Sequence, residues 1–395
     1  MKLAYPYLPQ NNPCHKDMVP LSYPDITDLE RKYVMEVLNT PNLSLGPKLQ
    51  EFEEKITRYA GTKYAVAVNS GTSALHLIIK SLGIGEGDEV ITTPFSFVAS
   101  ANCILFERAK PVFVDIDPNT LNIDVQKVEE KVKELIARYS SLKAILAVDV
   151  FGHPAEWDIL QEISSKYNLR LMEDSAEALG AEYKGRKAGS LGEAGIFAFY
   201  PNKQITTGEG GVILTNNEEI AKLCRSLRNQ GRDENGGWLE HQRLGYNYRL
   251  SDINCALGIA QVERIDEILN KREKVAQMYN EQLKDIKEIE IPYVSPNIKM
   301  SWFVYVIRLS KKYTRQDRDT ILQKLREKGI GCSNYFSPIH LQPFYRKQFG
   351  YKEGDFPITE YVSARTIALP FYGNLTEKDI DYVVENFKYI LKAIG

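Results

Sequence analysis

Cysteine is scarce in this chain and falls into no pattern. Cys14, Cys103, Cys224, Cys255 and Cys332 are odd in number, widely separated and form no CxxC pair, which argues against a disulfide framework or a cysteine-ligated zinc site. Histidine is equally thin: His15, His76, His153, His241 and His340 never reach HExxH or a similar spacing, so no metal is expected. Long apolar runs are missing too. No stretch approaches the roughly eighteen uninterrupted apolar residues that a membrane span requires, and the N-terminal MKLAYPYLPQNNPCHKDMVP lacks an apolar signal core. The expected location is the cytoplasm. Neither sign of charge dominates, with 50 Lys+Arg against 52 Asp+Glu and a net charge of -2, which disfavours nucleic acid as a partner. No repeat or low-complexity segment stands out.

What the chain does have is length and apolar content. Its 395 residues, 43% apolar and 26% charged, suit a large domain joined to a smaller one. From about residue 60, short β-branched runs alternate with longer amphipathic segments, the pattern of a mostly parallel α/β sheet. YAVAVNSG reads as a strand ending in a tight turn, and TSALHLIIKSLG as a helix with Ala74, Leu75, Ile78, Ile79 and Leu82 at helical spacing, stopped by Gly83. Strands DEVITTP, KPVFVDID, KAILAVDV and LRLMEDSA follow, separated by helices from about Phe97 to Arg108, near 124 to 139 and near 156 to 167. GIFAFY and GGVILTN read as neighbouring strands joined through a loop that holds Lys203. Beyond about residue 250 a long helix through DINCALGIAQVERIDEILNKREKVAQMYNEQLK leads to a strand SWFVYVIRLS and helices TRQDRDTILQKLREKG and KDIDYVVENFKYILKAI. The expected division is 1–250, a large domain with an N-terminal arm, and 251–395, a connecting helix and a small α+β domain.

Three local sites carry chemistry. In VNSGTSALH a strand runs through Ser-Gly-Thr-Ser into a helix, leaving backbone N–H groups and a positive helix end for an anion; the same residues also make an ordinary N-cap. In LMEDSAEALGA an apolar strand ends on Glu173 and Asp174, at the edge where open α/β sheets bind ligands, although a strand-end aspartate is also a common cap. In AFYPNKQITTGEGG, Lys203 precedes Gly208, Gly210 and Gly211, whose backbone freedom permits a tight turn. A lysine on such a loop is usually a solvated charge, but a desolvated one becomes a nucleophilic amine. Together an anion cup, a strand-end acid and a loop lysine are what pyridoxal 5'-phosphate (PLP) requires for its phosphate, ring nitrogen and aldehyde.

The chain resembles the DegT/StrS family of PLP-dependent nucleotide-sugar aminotransferases over essentially its whole length. The matching stretches are GPKLQEFEEKI, NSGTSALHL, GDEVITTPFSFVASAN, VFVDID, EDSAEALGAEYKGRKAGSLG, FYPNKQITTGEGG, LGYNYRLSDINCALGIAQ and YFSPIHLQPFY. The resemblance implies the PLP-dependent transferase fold of type I: α/β, a mostly parallel central sheet with helices on both faces, and a smaller C-terminal α+β domain. It implies that Lys203 forms the Schiff base and shuttles a proton, and that Asp174 pairs with the pyridinium nitrogen. Phe97 would stack on the ring, Gly71 and Thr72 would hold the phosphate, and Glu177 would lie near the 3'-hydroxyl. Asn247, in GYNYR, would reach the cofactor phosphate of a neighbouring subunit, making a homodimer with shared sites. Arg249 and His340 would lie near the sugar nucleotide, with structural roles equally open to both. One departure is clear: many relatives carry serine five residues before the lysine, where this chain has Ala198.

The implied reaction moves an amino group from L-glutamate to the keto carbon, C4 by the resemblance of EDSAEALGA, of an NDP-4-keto-6-deoxyhexose for amino-sugar or polysaccharide biosynthesis. The alternatives are a C3-directed aminotransferase, a sugar 3-dehydratase, whose family members carry histidine at the lysine position, and a non-catalytic ligand-binding regulator.

Overall fold

The computed structural model describes residues 18–139, 141–233, 237 and 239–394. Cys14, His15 and the MKLAYPYLPQNNPCHKD stretch of the expected N-terminal arm lie outside them. In chain order the strands are β1 (Tyr64–Val68), β2 (Glu89–Thr92), β3 (Lys110–Phe113), β4 (Leu142–Val148), β5 (Arg170–Asp174), β6 (Glu182–Tyr183), β7 (Arg186–Lys187), β8 (Ala194–Ala198), β9 (Gly211–Thr215), β10 (Ile289–Glu290), β11 (Ile298–Lys299), β12 (Tyr305–Leu309) and β13 (Thr366–Leu369). The α-helices are α1 (Asp28–Leu38), α2 (Pro47–Ala60), α3 (Gly71–Ser81), α4 (Ala99–Phe106), α5 (Val125–Ala137), α6 (Trp157–Tyr167), α7 (Glu218–Arg228), α8 (Asp252–Glu263), α9 (Ile265–Leu283), α10 (Arg315–Glu327), α11 (Pro343–Phe349), α12 (Pro357–Ser363) and α13 (Glu377–Ile394).

The main sheet has the order β1-β9-β8-β5-β4-β2-β3. Strands β3, β2, β4, β5 and β8 run parallel, while β9 is antiparallel to both of its neighbours, β8 and β1. It follows that β1, β5 and β8 all point their carboxyl ends at the same edge. The central strands of this sheet are largely apolar on both faces, because helices cover both. Val66, Val68, Leu146, Met172 and Ile196 pack with α3, α4 and α7, whereas Ile91, Ile145 and Leu171 pack with α5 and α6. Ala65, Ala67, Val212 and Leu214 pack with α2 and α8. This is why the strands read as continuous β-branched runs instead of alternating ones.

A second core gathers α9, α10, α13 and the antiparallel sheet β10-β12-β13. Capping residues set the entrances: Thr27 with Glu30 opens α1 and Thr314 with Asp317 opens α10, each as a capping box. The expected long helix from residue 252 is broken at Arg264 (φ -103°, ψ 10°), which separates α8 from α9. The guanidinium there binds Asp25, Glu30 and Glu267 at 3.0, 2.7 and 3.0 Å, so the interruption is fixed by a charge cluster that sequence periodicity does not register. The helix expected from Phe97 begins at Ala99, because the Phe97 carbonyl accepts the Ser100 N–H. Among the described residues no helix is long and apolar enough to cross a membrane, and no group of metal-ligating side chains forms.

Candidate active site

The sequence Asn-Ser-Gly-Thr-Ser ends β1 and starts α3. Ser70 Oγ accepts the Ser73 N–H at 3.0 Å, leaving the amides of Gly71 and Thr72 in the first helical turn without intrahelical acceptors. These amides and the helix dipole together form an anion cup. Glycine is needed here by contact: a Cβ on Gly71 would stand 2.7 Å from the Ala198 Cβ. The cup is thus pressed against the last residue of β8.

One strand over, β5 ends on Asp174, which is 4% exposed. Ser100 Oγ donates to its Oδ2 at 2.6 Å and the Ala176 N–H to its Oδ1 at 3.1 Å, with Ser96 Oγ 2.9 Å behind Ser100. Burial pushes the Asp174 carboxyl above its ordinary value, against the pull of these donors and of the Lys203 charge. Its neighbour Glu173 points the other way, as strand alternation requires. Glu173 accepts the N–H groups of Gly189, Leu191 and Gly192 and pins that loop. Ser175 Oγ lies 2.6 Å from Glu173 Oε1 and 2.7 Å from Asp149 Oδ2. A hydroxyl has one proton to donate, so the second short contact puts a proton on one carboxyl. Asp149 is raised well above its usual range by burial and then by the Glu173 charge, while the Ala155 N–H and the Trp157 Nε1–H donate to its other oxygen.

Lys203 sits in the turn between β8 and β9, its N–H on the Tyr200 carbonyl at 2.9 Å. Its Nζ is 3.6 Å from Glu177 Oε1 and 4.0 Å from the Phe303 ring centroid. Burial holds the amine below the ordinary lysine range, with the charges of Glu177 and Asp174 opposing that shift. Glu177 is raised by burial, opposed first by the Lys203 charge and then by the Phe151 N–H, which donates to its Oε2 at 3.0 Å. That donor comes from a tight turn in which Phe151 has φ 56° and Gly152 φ 89°; a Cβ on Gly152 would overlap the Ser301 carbonyl. The arrangement is a desolvated amine facing an acid, beside a second buried acid, next to an anion cup.

The remaining expected residues divide. Phe97 leaves 61% of its surface exposed at this end of the sheet, as a ring open to a ligand would. Asn247 is exposed, and its carbonyl accepts the Asn69 side-chain N–H at 3.4 Å. On either side of it, Tyr246 and Tyr248 stack at 4.9 Å, and both hydroxyls reach the His76–Glu107 pair. Both rings therefore face inward, and Asn247 faces away from them. Arg249 donates to Asn229 Oδ1 at 3.1 Å. His340 is fully buried, its Nε2 3.0 Å from Glu360 Oε1 and its ring against Phe356 and Tyr351, away from the Lys203 amine. Sequence reasoning missed Phe303, Ser100 and Phe151. Ser96 and Ser100, spaced four apart at the start of an apolar helix, carried a signal; Phe303 lay in an apolar run indistinguishable from core.

A family model described as the DegT/DnrJ/EryC1/StrS aminotransferase family matches residues 24–388. The chain belongs to this family. It is 38% identical over 385 residues to the spore coat polysaccharide biosynthesis protein SpsC of Bacillus subtilis, covering 95% of this chain and 97% of that one. It is 37% identical over 375 residues to a GDP-perosamine synthase of Caulobacter vibrioides, covering 94% and 98%. Among solved structures, Spr1654 of Streptococcus pneumoniae, described as a sugar aminotransferase and solved in its PLP form, aligns with a TM-score of 0.89, 28% identity, and coverage of 96% and 100%. The protein is a sugar aminotransferase of the DegT/DnrJ/EryC1/StrS type. The residues fit the cofactor of that chemistry: free amides for a phosphate, an amine poised by burial, and a buried acid whose two donors leave lone pairs unused.

Proposed function

We propose that the chain binds PLP and transfers the amino group of L-glutamate to C4 of an NDP-4-keto-6-deoxyhexose, acting as a homodimer with shared sites. The observation that carries this is the position of the Lys203 amine, 3.6 Å from Glu177, at the same sheet edge as Asp174 and the Gly71 cup. When bound, the cofactor supplies an electron sink and stores the amino group between half-reactions. Gly71 and Thr72 hold its phosphate through their amides, joined by the partner subunit's Asn247. Asp174, kept oriented by Ser100, would pair with the ring nitrogen and keep it protonated. Phe97 would cover one face of the ring, and Glu177 would lie beside the 3'-hydroxyl.

Lys203 would hold the cofactor through its aldehyde and, with its amine free, would be the group that moves a proton during amino transfer. Its lowered affinity for protons suits both tasks, since an amine must be free to attack and then able to return a proton near neutral pH. Arg249 and His340 are assigned to the sugar-nucleotide side by resemblance; within the chain, Arg249 bonds to Asn229 and His340 to Glu360. The GDP-perosamine synthase relative supports a nucleotide-linked sugar as acceptor. The test is a panel of UDP-, GDP- and dTDP-linked 4-keto-6-deoxy sugars, incubated with glutamate and PLP and followed by mass spectrometry. A 4-amino sugar on one nucleotide is the expected product. Amination at C3, or glutamate left unconsumed with every acceptor, would overturn the assignment.

A further inference from the structure

Arg272, on α9, is 3% exposed, and among the described residues it makes no ion pair. Its acceptors are three backbone carbonyls. Nη2 donates to the Lys203 carbonyl at 2.9 Å, and Nη1 donates to those of Phe303 at 3.2 Å and Trp302 at 3.4 Å. Nε has no acceptor, and the guanidinium lies 5.6 Å from the Phe371 ring. A buried cation without a carboxylate is costly, and an apolar residue of the same volume would serve the core better. The two segments it joins are those that meet on the reactive amine: Lys203 supplies the Nζ and Phe303 supplies the ring 4.0 Å from it.

Neighbouring bonds run between the same elements. Gln204 Nε2 donates to Ser301 Oγ at 3.0 Å and to the Glu177 carbonyl at 2.6 Å, and Trp302 Nε1 donates to Glu273 Oε2 at 2.8 Å. Among the described residues, only Arg272 bonds to both Lys203 and Phe303.

We propose that Arg272 is a positioning residue for the reactive lysine: its planar fork fixes the Lys203 backbone against the Phe303 backbone and so keeps the Phe303 ring over Nζ. A lysine in its place keeps the charge but has one nitrogen, which cannot span carbonyls on two segments as a fork does. Without the fork the two segments separate, water reaches Nζ, and the desolvation that lowers the amine's proton affinity is lost. This inference rests on the reading of Lys203 as the reacting amine.

The test uses full-length R272K and R272Q beside the wild type. In cofactor-free protein, the pH profile of Lys203 acylation, read by peptide mass spectrometry, is expected to move up by about one pH unit. In the loaded enzyme, kcat should fall about 10- to 100-fold with KM held within about threefold, as displacement of a reacting group predicts. A folded R272K with the wild-type profile and wild-type kcat overturns the proposal. Hydrogen exchange on the wild type decides it if neither variant folds: residues 200–206 and 301–304 should lose protection in a single event, and separate opening overturns it. Borohydride trapping of the cofactor on wild-type Lys203 judges the functional reading separately. If no adduct forms, that reading fails, while the acylation profile still decides for or against Arg272.

Discussion

Gly71 and Ala198 meet with no spare volume, since a Cβ on the glycine would stand 2.7 Å from the Cβ of the alanine. The helix that offers amides to an anion and the strand that delivers Lys203 are therefore locked at one point. Gly71→Ala is expected to push them apart, costing about 1–3 kcal/mol by overpacking, with a lower melting temperature and weaker cofactor binding. Unchanged melting and binding would show that the contact is unimportant.

Ala198→Ser restores the hydroxyl that many relatives place here. A charge-assisted hydrogen bond is worth roughly 1.5–3 kcal/mol, so the dissociation constant of PLP should fall about tenfold or more, measured by fluorescence titration. An unchanged constant would mean that the phosphate does not sit against residue 198.

Lys203→Ala should bind the cofactor without a covalent link and lose turnover to background. Product formation over many turnovers, followed by mass spectrometry, is the measurement that would refute the role of Lys203. Asp174→Asn should lower kcat about 10²- to 10³-fold, the usual effect of removing one stabilising group in a preorganised site. Ser100→Ala should cost only about tenfold, because it orients Asp174 without replacing its charge.

Glu177→Gln gives a pH test with a definite sign. The Glu177 charge raises the proton affinity of Lys203 while burial lowers it, so removing the carboxylate should shift the Lys203 acylation profile to lower pH. A shift to higher pH would mean that Glu177 acts mainly by excluding water.

Asp149 and Glu173 supply a stability test. Both are raised above their ordinary values by burial, so the folded chain keeps a proton that the unfolded chain releases. That contribution to stability is fully present below the unfolded carboxylate pKa and is lost as pH rises through the folded one. Asp149→Asn supplies an N–H in place of the retained proton. Denaturant unfolding should then show less loss of stability at alkaline pH than in the wild type, and an identical slope would put the proton elsewhere.

Sequence periodicity was enough for the parallel sheet, because strands covered on both faces read as apolar β-branched runs, and GIFAFY and GGVILTN do pair as β8 and β9. The helix break at Arg264 was not legible, since it depends on Asp25 and Glu30 arriving from far along the chain. The same holds at the site. Lys203, Asp174 and Gly71 announce themselves by residue type at strand ends, whereas Phe303 matters only because folding carries its ring to 4.0 Å from Nζ. His340 illustrates the converse, a residue conspicuous in sequence whose side chain the fold encloses with Glu360.

The inward-facing Tyr246 and Tyr248 leave Asn247 directed away from its own core. In the proposed dimer, this outward direction separates the two halves of each catalytic centre onto different chains. Two crippled variants, Lys203→Ala and Asn247→Ala, would then complement each other when co-refolded: each hybrid pair concentrates both lesions in one centre and leaves the other whole. With random pairing, about half the dimers are hybrids with one intact centre of two, so about a quarter of the wild-type activity would reappear from inactive or weakened parents.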